Sequence, residues 1–157
     1  MKVVLLFLGK TADDYARQAL RVYQERLSHY LNLEVVELPD LKAAKSLSEA
    51  QVKAREAEAI LEWVKPENQV VLLDERGLEQ SSEEFARWMQ KKMNSGLRSL
   101  VFVVGGPYGF DQSVYTAVKE RLSLSRMTFS HQMVRVFFVE QLYRAMTILH
   151  GEPYHHA

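Results

Sequence analysis

Ser99-Leu100-Val101-Phe102-Val103-Val104-Gly105-Gly106-Pro107-Tyr108-Gly109-Phe110-Asp111 is the stretch that decides the architecture. Five apolar residues follow Ser99, most of them β-branched or aromatic, as in a strand buried on both faces. Three glycines and a proline then break the run. Asp111 has the chemistry of a helix N-cap, and Phe110 stands one residue before it, placed to staple onto Tyr115. Strand, glycine turn and capped helix make one βα unit, and a chain of such units builds a parallel sheet.

Reading outward, the same alternation continues in both directions. Val3–Leu8 is a short apolar strand ended by Gly9. Thr11 reads as the N-cap of a first helix, with Asp13 and Asp14 in its first turn and Tyr15, Ala19, Val22, Tyr23, Leu27 and Tyr30 at helical spacing. Leu33–Leu38 is a second strand stopped by Pro39, and Lys42–Leu47 reads as an exposed loop. Ser48 and Gln51 form a capping box for a helix reaching about Val64, closed off by Pro66. Gln69–Leu73 is a third strand. Ser81 and Glu84 form a second capping box, ahead of a Phe85, Trp88, Met89, Met93 stripe and an Asn94-Ser95-Gly96 stop. Leu122–Leu124 is a short fifth strand, and a turn at Ser125-Arg126 leads to a last helix from about Ser130 to His150. The expected fold is therefore α/β, one domain over residues 1–157, with a mostly parallel sheet flanked by helices.

Composition removes several function classes. The 157 residues are 47% hydrophobic and contain no cysteine. That excludes disulfide scaffolds, thiolate zinc sites, iron–sulfur clusters and a cysteine nucleophile. The longest apolar run, Val3–Leu8, is too short for a membrane span or a signal peptide, so the chain reads as soluble and cytoplasmic. Net charge is zero, unlike a protein that grips nucleic acid by charge alone. Residues 1–118 carry fifteen basic and seventeen acidic side chains, and residues 119–157 carry five and three. Four of the five histidines also lie in the last segment. The difference is small, compatible with chance or with an anionic partner there.

The last helix has almost no polar face: Met133, Val134, Val136, Phe137, Phe138, Val139, Leu142, Tyr143, Ala145, Met146, Ile148 and Leu149 occupy it. Such a helix is buried on most sides. Packing on its own domain and on a second copy predicts a homodimer; a central core helix is the alternative.

Three strand ends are candidate ligand loops, because open parallel sheets bind at the carboxyl ends of their strands. They are Leu73-Asp74, Gly105–Gly109 and the loop Leu124-Ser125-Arg126-Met127-Thr128-Phe129. The glycine loop matches neither a dinucleotide nor a triphosphate motif. It reads as a ligand cradle or as a plain tight turn. The tail Pro153-Tyr154-His155-His156 offers a base, phosphate contacts or idle solvated histidines, and it lacks the third ligand of a metal motif. No hydrolase constellation stands out.

Leu8-Gly9-Lys10, Leu72–Gly77, Phe102–Gly109, Leu122–Arg135, Glu140-Gln141-Leu142-Tyr143-Arg144-Ala145 and Pro153-Tyr154-His155 together resemble the large-subunit ribosomal RNA pseudouridine N3-methyltransferase family. That family belongs to the SPOUT superfamily of knotted methyltransferases. The likeness runs end to end and is most specific from Leu122 to Arg144. It implies a C-terminal deep trefoil knot, which propensity alone would never suggest. It implies S-adenosylmethionine as methyl donor, with no metal, held by Leu73, Gly105, Leu124, Ser125, Arg126, Met127, Thr128 and Phe129. It also implies a homodimer, a pseudouridine in large-subunit ribosomal RNA as target, and the assembled ribosome as substrate.

The implied reaction is one-step methyl transfer to a nitrogen that must lose its proton. It needs in-line alignment and a base, and histidine fits by intrinsic pKa. His155, from its own or the partner subunit, is expected to deprotonate or orient the target. Tyr154 would stack or hydrogen bond, and Arg144 and Arg135 would contact phosphate or hold the tail. Glu140 and Arg144 also form an i,i+4 pair. His156 stands where the family commonly has Lys or Arg, which predicts a weaker RNA contact. A transfer RNA methyltransferase and a noncatalytic ribosome-binding factor are the rival readings.

Overall fold

A computed structural model describes residues 1–42 and 44–156 of the chain. Five strands form one sheet: β1 (Lys2–Leu8), β2 (Asn32–Leu38), β3 (Asn68–Glu79), β4 (Ser99–Val104) and β5 (Glu120–Ser123). Five α-helices alternate with them: α1 (Asp14–Leu27), α2 (Glu49–Leu61), α3 (Ser82–Met93), α4 (Gln112–Ala117) and α5 (Met133–Leu149). The strand order is β2-β1-β4-β3-β5, and every neighbouring pair is parallel. The expected α/β architecture is what the chain adopts.

Alternate residues of the central strands feed opposite layers. Val3, Leu5 and Phe7 with Leu100, Phe102 and Val104 meet Leu20 of α1, Phe85 and Met89 of α3, and Phe138 and Leu142 of α5. Val4, Leu6, Val101 and Val103 meet Ala57 and Ile60 of α2 and Val114 of α4. With helices on both faces, β1 and β4 have no solvent side, which is why they read as continuous apolar runs.

The local helix signals act as expected. Ser48 and Ser81 both close reciprocal capping boxes with Gln51 and Glu84. Asp111 caps α4 by accepting from the Ser113 N–H, and the Phe110 and Tyr115 rings meet edge-on at 5.8 Å.

Other boundaries differ for tertiary reasons. Thr11 does not cap α1; Asp13 is the N-cap, and the buried Thr11 hydroxyl instead accepts from Arg135 at 2.8 Å. Helix α2 stops at Leu61, short of Val64. The span Lys42–Leu47 contains a 3-10 turn at Ala44–Ser46; Ala43 within it, and Ala157, lie outside the described residues. Strand β5 is Glu120–Ser123, earlier than Leu122–Leu124, because its register is set by β3. Helix α5 begins at Met133, three residues after Ser130, whose hydroxyl accepts from the Met133 N–H at 3.1 Å.

The largest difference is β3, which continues to Glu79 instead of ending at Leu73. It pairs with β5 twice: Leu73 opposes Leu122, and after a bulge Leu78 opposes Leu122 again. Gly77 makes this return possible. A Cβ there would lie 2.7–2.8 Å from backbone atoms of Arg121 and Leu122, which leaves no room for a side chain.

Candidate active site

The bulge of β3 after Leu73 and the carboxyl ends of β4 and β5 open into one cavity of about 650 Å³. Leu73, Gly105, Leu124, Ser125, Met127, Thr128 and Phe129 all line it. Three loops far apart in sequence therefore meet at one place, as strand-end reasoning expects. Arg126 is the exception: its exposed side chain turns to Glu79, 3.3 Å away.

Each wall has a local cause. The Gly109 N–H donates to the Gly106 carbonyl at 3.3 Å, so the glycine loop closes as a tight turn. A Cβ on Gly105 would meet the Phe110 ring at 3.1 Å, so that ring packs against bare backbone. The loop after β5 is pinned by Ser123, whose buried hydroxyl lies 3.2 Å from the Glu75 carbonyl and 2.8 Å from the Ser125 carbonyl. Ser125 in turn accepts from the Met127 N–H at 3.0 Å.

The polar lining divides into spent and free groups. Asp74 accepts from the Tyr115 hydroxyl and from the Arg76 N–H. Burial and then that carboxylate push the Tyr115 hydroxyl up to about 12. The Arg121 guanidinium lies over the Tyr115 ring, 4.4 Å from its centroid. His131 also lines the cavity, half-buried. Burial, and secondarily the Arg135 cation, hold its pKa below the ordinary value. Behind the glycine loop, burial raises the Glu56 carboxyl, and its Oε1 has no hydrogen-bond partner among the described residues.

Arg135 is not available for phosphate. Its side chain is fully buried, with the guanidinium 4.7 Å from the Phe7 ring centroid. It donates to the Leu8, Gly9 and His131 carbonyls and the Thr11 hydroxyl at 2.8–3.2 Å. Glu37 lies 3.6 Å away. Gln132 adds a second tie, donating to the Lys10 carbonyl and accepting from the Ala12 N–H. The entry to α5 is thus bolted to the end of β1.

Tyr154, His155 and Arg144 form a separate cluster and do not line this cavity. Arg144 bonds Glu140 at 2.6 Å and lies 3.1 Å from His155 Nδ1. His155 Nε2 lies 2.9 Å from Glu83 Oε1. A guanidinium only donates, so Nδ1 accepts and Nε2 carries the hydrogen given to Glu83. The Tyr154 hydroxyl donates to Glu140 at 2.9 Å and meets Tyr23 at 3.2 Å. His156 is exposed. Sequence reasoning missed Tyr115, Glu83, Tyr23 and the position of His131. Only His131 carried a local signal, as the histidine just after the third loop. Among the described residues no group of three or more His, Asp or Glu converges to hold a metal ion.

A family model described as "Predicted SPOUT methyltransferase" matches residues 1–155. Several curated proteins are similar over 156 residues, covering 99% of both chains. The protein named "Ribosomal RNA large subunit methyltransferase H" is 56% identical in Porphyromonas gingivalis. Its namesakes in Parabacteroides distasonis and Christiangramia forsetii are 53% and 52% identical.

Proposed function

The chain belongs to the SPOUT methyltransferase family, and on that premise we propose that it methylates N3 of a pseudouridine in large-subunit ribosomal RNA with S-adenosylmethionine as donor. The observation that carries this reading is the meeting of Leu73, Gly105 and Leu124–Phe129 around one cavity, under a name that its relatives share.

The residues present suit that donor. The cavity is of small-ligand size. Gly105 presents backbone without a Cβ, and Leu73, Leu124, Met127 and Phe129 offer apolar surface to a flat heterocycle. Asp74 and Glu75 place carboxylates where a cation is favoured. When bound, the donor supplies a methyl group on a positively charged sulfur. The chain's own work is to hold that methyl in line with the nitrogen and to exclude water. The family's trefoil knot is part of the reading. It is supported by the return of β3 to β5, which sets the loop after β5 against residues 75–79.

The reading includes a homodimer acting on assembled ribosomes in the cytoplasm. Helix α5 supports the dimer, since Val136, Tyr143, Ile148 and Leu149 are only half-buried and Phe137 is 42% exposed. The tail supports it too: Tyr154, His155 and Arg144 are assembled away from their own cavity, so they serve the partner's. Both His155 nitrogens are engaged, which suits positioning of the target base and of Arg144. Zero net charge favours recognition of ribosome shape over binding of free RNA. Among the described residues no helix is long and apolar enough to cross a membrane.

The test is transfer of labelled methyl from S-adenosylmethionine to ribosomes lacking the modification, with free ribosomal RNA and transfer RNA alongside, followed by nucleoside analysis. N3-methylpseudouridine on ribosomes is the expected product. Label on transfer RNA alone would replace the substrate.

A further inference from the structure

We infer that His131 is the proton acceptor for the methylated nitrogen, an assignment that rests on the methyl-transfer reading above. His131 lines the same cavity as Gly105, Thr128 and Phe129, within the protomer that would hold the donor. Among the described residues, its ring nitrogens make no hydrogen bond. Its backbone is fixed on its C-terminal side. The His131 carbonyl accepts from Arg135 Nε at 3.2 Å, and the adjacent Gln132 is clamped to Lys10 and Ala12. The ring is therefore positioned but unspent.

No other titratable group on the cavity wall serves as well. Asp74 already receives two hydrogen bonds, and the Tyr115 hydroxyl stays protonated as the donor of one of them. Lys53 and Arg76 are cations with no lone pair to offer, and Glu49 and Glu75 are exposed at the rim. His155 stands outside this cavity with its accepting nitrogen taken by Arg144. His131 is the imidazole left among the described lining residues.

Its surroundings keep it neutral. Burial and the Arg135 cation of α5 lower its pKa, while Asp13 before α1 and Asp40 after β2 oppose them. It also sits at the amino end of α5, where the helix dipole disfavours a cation. In the step, His131 takes the N3 proton as the N–C bond forms and the C–S bond breaks. The sulfur keeps the bonding electron pair and becomes a neutral thioether. The imidazolium carries the positive charge the sulfonium loses, then releases its proton to water.

The test uses His131→Asn and His131→Ala in the full chain. Calorimetric titration with S-adenosylhomocysteine is expected to give affinities within about threefold of wild type. Single-turnover methylation of unmodified ribosomes at neutral pH is expected to fall by about 10²–10⁴-fold, with partial recovery at high pH or with added imidazole. Nuclear magnetic resonance titration of the free wild-type protein is expected to show a His131 imidazole midpoint below the ordinary 6.5. A wild-type rate and pH profile in His131→Asn would overturn the assignment, as would an equal loss at every pH without imidazole rescue. If wild-type protein binds S-adenosylhomocysteine but labels no RNA, the substrate reading falls first and this assignment falls with it.

Discussion

Around the strand-end cavity the His131 ring and the Thr128 hydroxyl make no hydrogen bond among the described residues, whereas at the tail both nitrogens of His155 are spent on neighbours. The two regions use polar chemistry in opposite ways. The cavity combines bare glycine backbone, apolar side chains and the Asp74–Tyr115 pair with a few groups that make no side-chain hydrogen bond among the described residues. The tail is a continuous hydrogen-bonded chain running Tyr23, Tyr154, Glu140, Arg144, His155 and Glu83. Unspent groups can act on a ligand, and mutually satisfied groups hold a shape. This contrast separates a region whose groups are open to a ligand from one whose groups hold each other, although both contain histidine.

The comparison breaks hardest at Arg135, which fixes the cavity's His131 wall. Arg135→Ala leaves the buried Leu8 carbonyl and the half-buried Gly9 carbonyl without their donor and is expected to cost about 4 kcal/mol. Denaturant unfolding at fixed protein concentration measures it, and a loss below about 1 kcal/mol would show that water replaces the guanidinium. Gly77→Ala is expected to cost about 2 kcal/mol in the same assay, because its Cβ meets backbone, not a movable side chain.

Gly105→Ala sharpens the cavity side. Its Cβ presses the Phe110 ring, and calorimetry is expected to show roughly tenfold weaker donor binding, about 1.4 kcal/mol. Donor affinity equal to wild type would remove the glycine loop from the site. Tyr154→Phe sharpens the tail side. It loses bonds to Tyr23 and Glu140, so stability is expected to drop by about 1 kcal/mol with donor affinity unchanged.

The smallest effect is a pH response confined to the tail. Hydrogen bonding to His155, the largest cause, holds the Glu83 carboxyl below its ordinary 4.5. A depressed carboxylate contributes stability that is present above its unfolded pKa and lost as pH falls through the lowered folded value. Hydrogen exchange of residues 152–156 is expected to accelerate as pH falls below 4.5, after correction for intrinsic rates. Glu83→Gln is expected to flatten that response; a tail that loosens identically in both proteins would show that Glu83 does not tether it.

Much of the fold was legible because its causes are local. The Ser48 and Ser81 boxes, the Asp111 cap and the Phe110–Tyr115 staple each span a few residues, and burial on both faces makes β1 and β4 continuous apolar runs. The cavity-lining loops were legible from topology, since strand ends in a parallel sheet lie together. Thr11 was misread because a capping hydroxyl and a hydroxyl that accepts from a distant guanidinium look alike in sequence. Strand β3 was cut short at Leu73 because Asp74–Gly77 has turn composition, and only the second pairing with β5 carries it on to Glu79.

By itself, then, the sequence determined the βα alternation, the caps, the parallel sheet and the three loops that line the cavity, all through contacts between near neighbours or through strand polarity. The tertiary structure alone decided that Arg135 is a buried bolt rather than a phosphate contact, that the tail cluster lies apart from the cavity, and that His131 lines the cavity with no hydrogen bond on its ring among the described residues. The physical reason is separation along the chain: Arg135 meets the Leu8 carbonyl 127 residues away, and His155 meets Glu83 across 72. Whether a polar group is spent or free depends on such distant partners, and no local pattern records them.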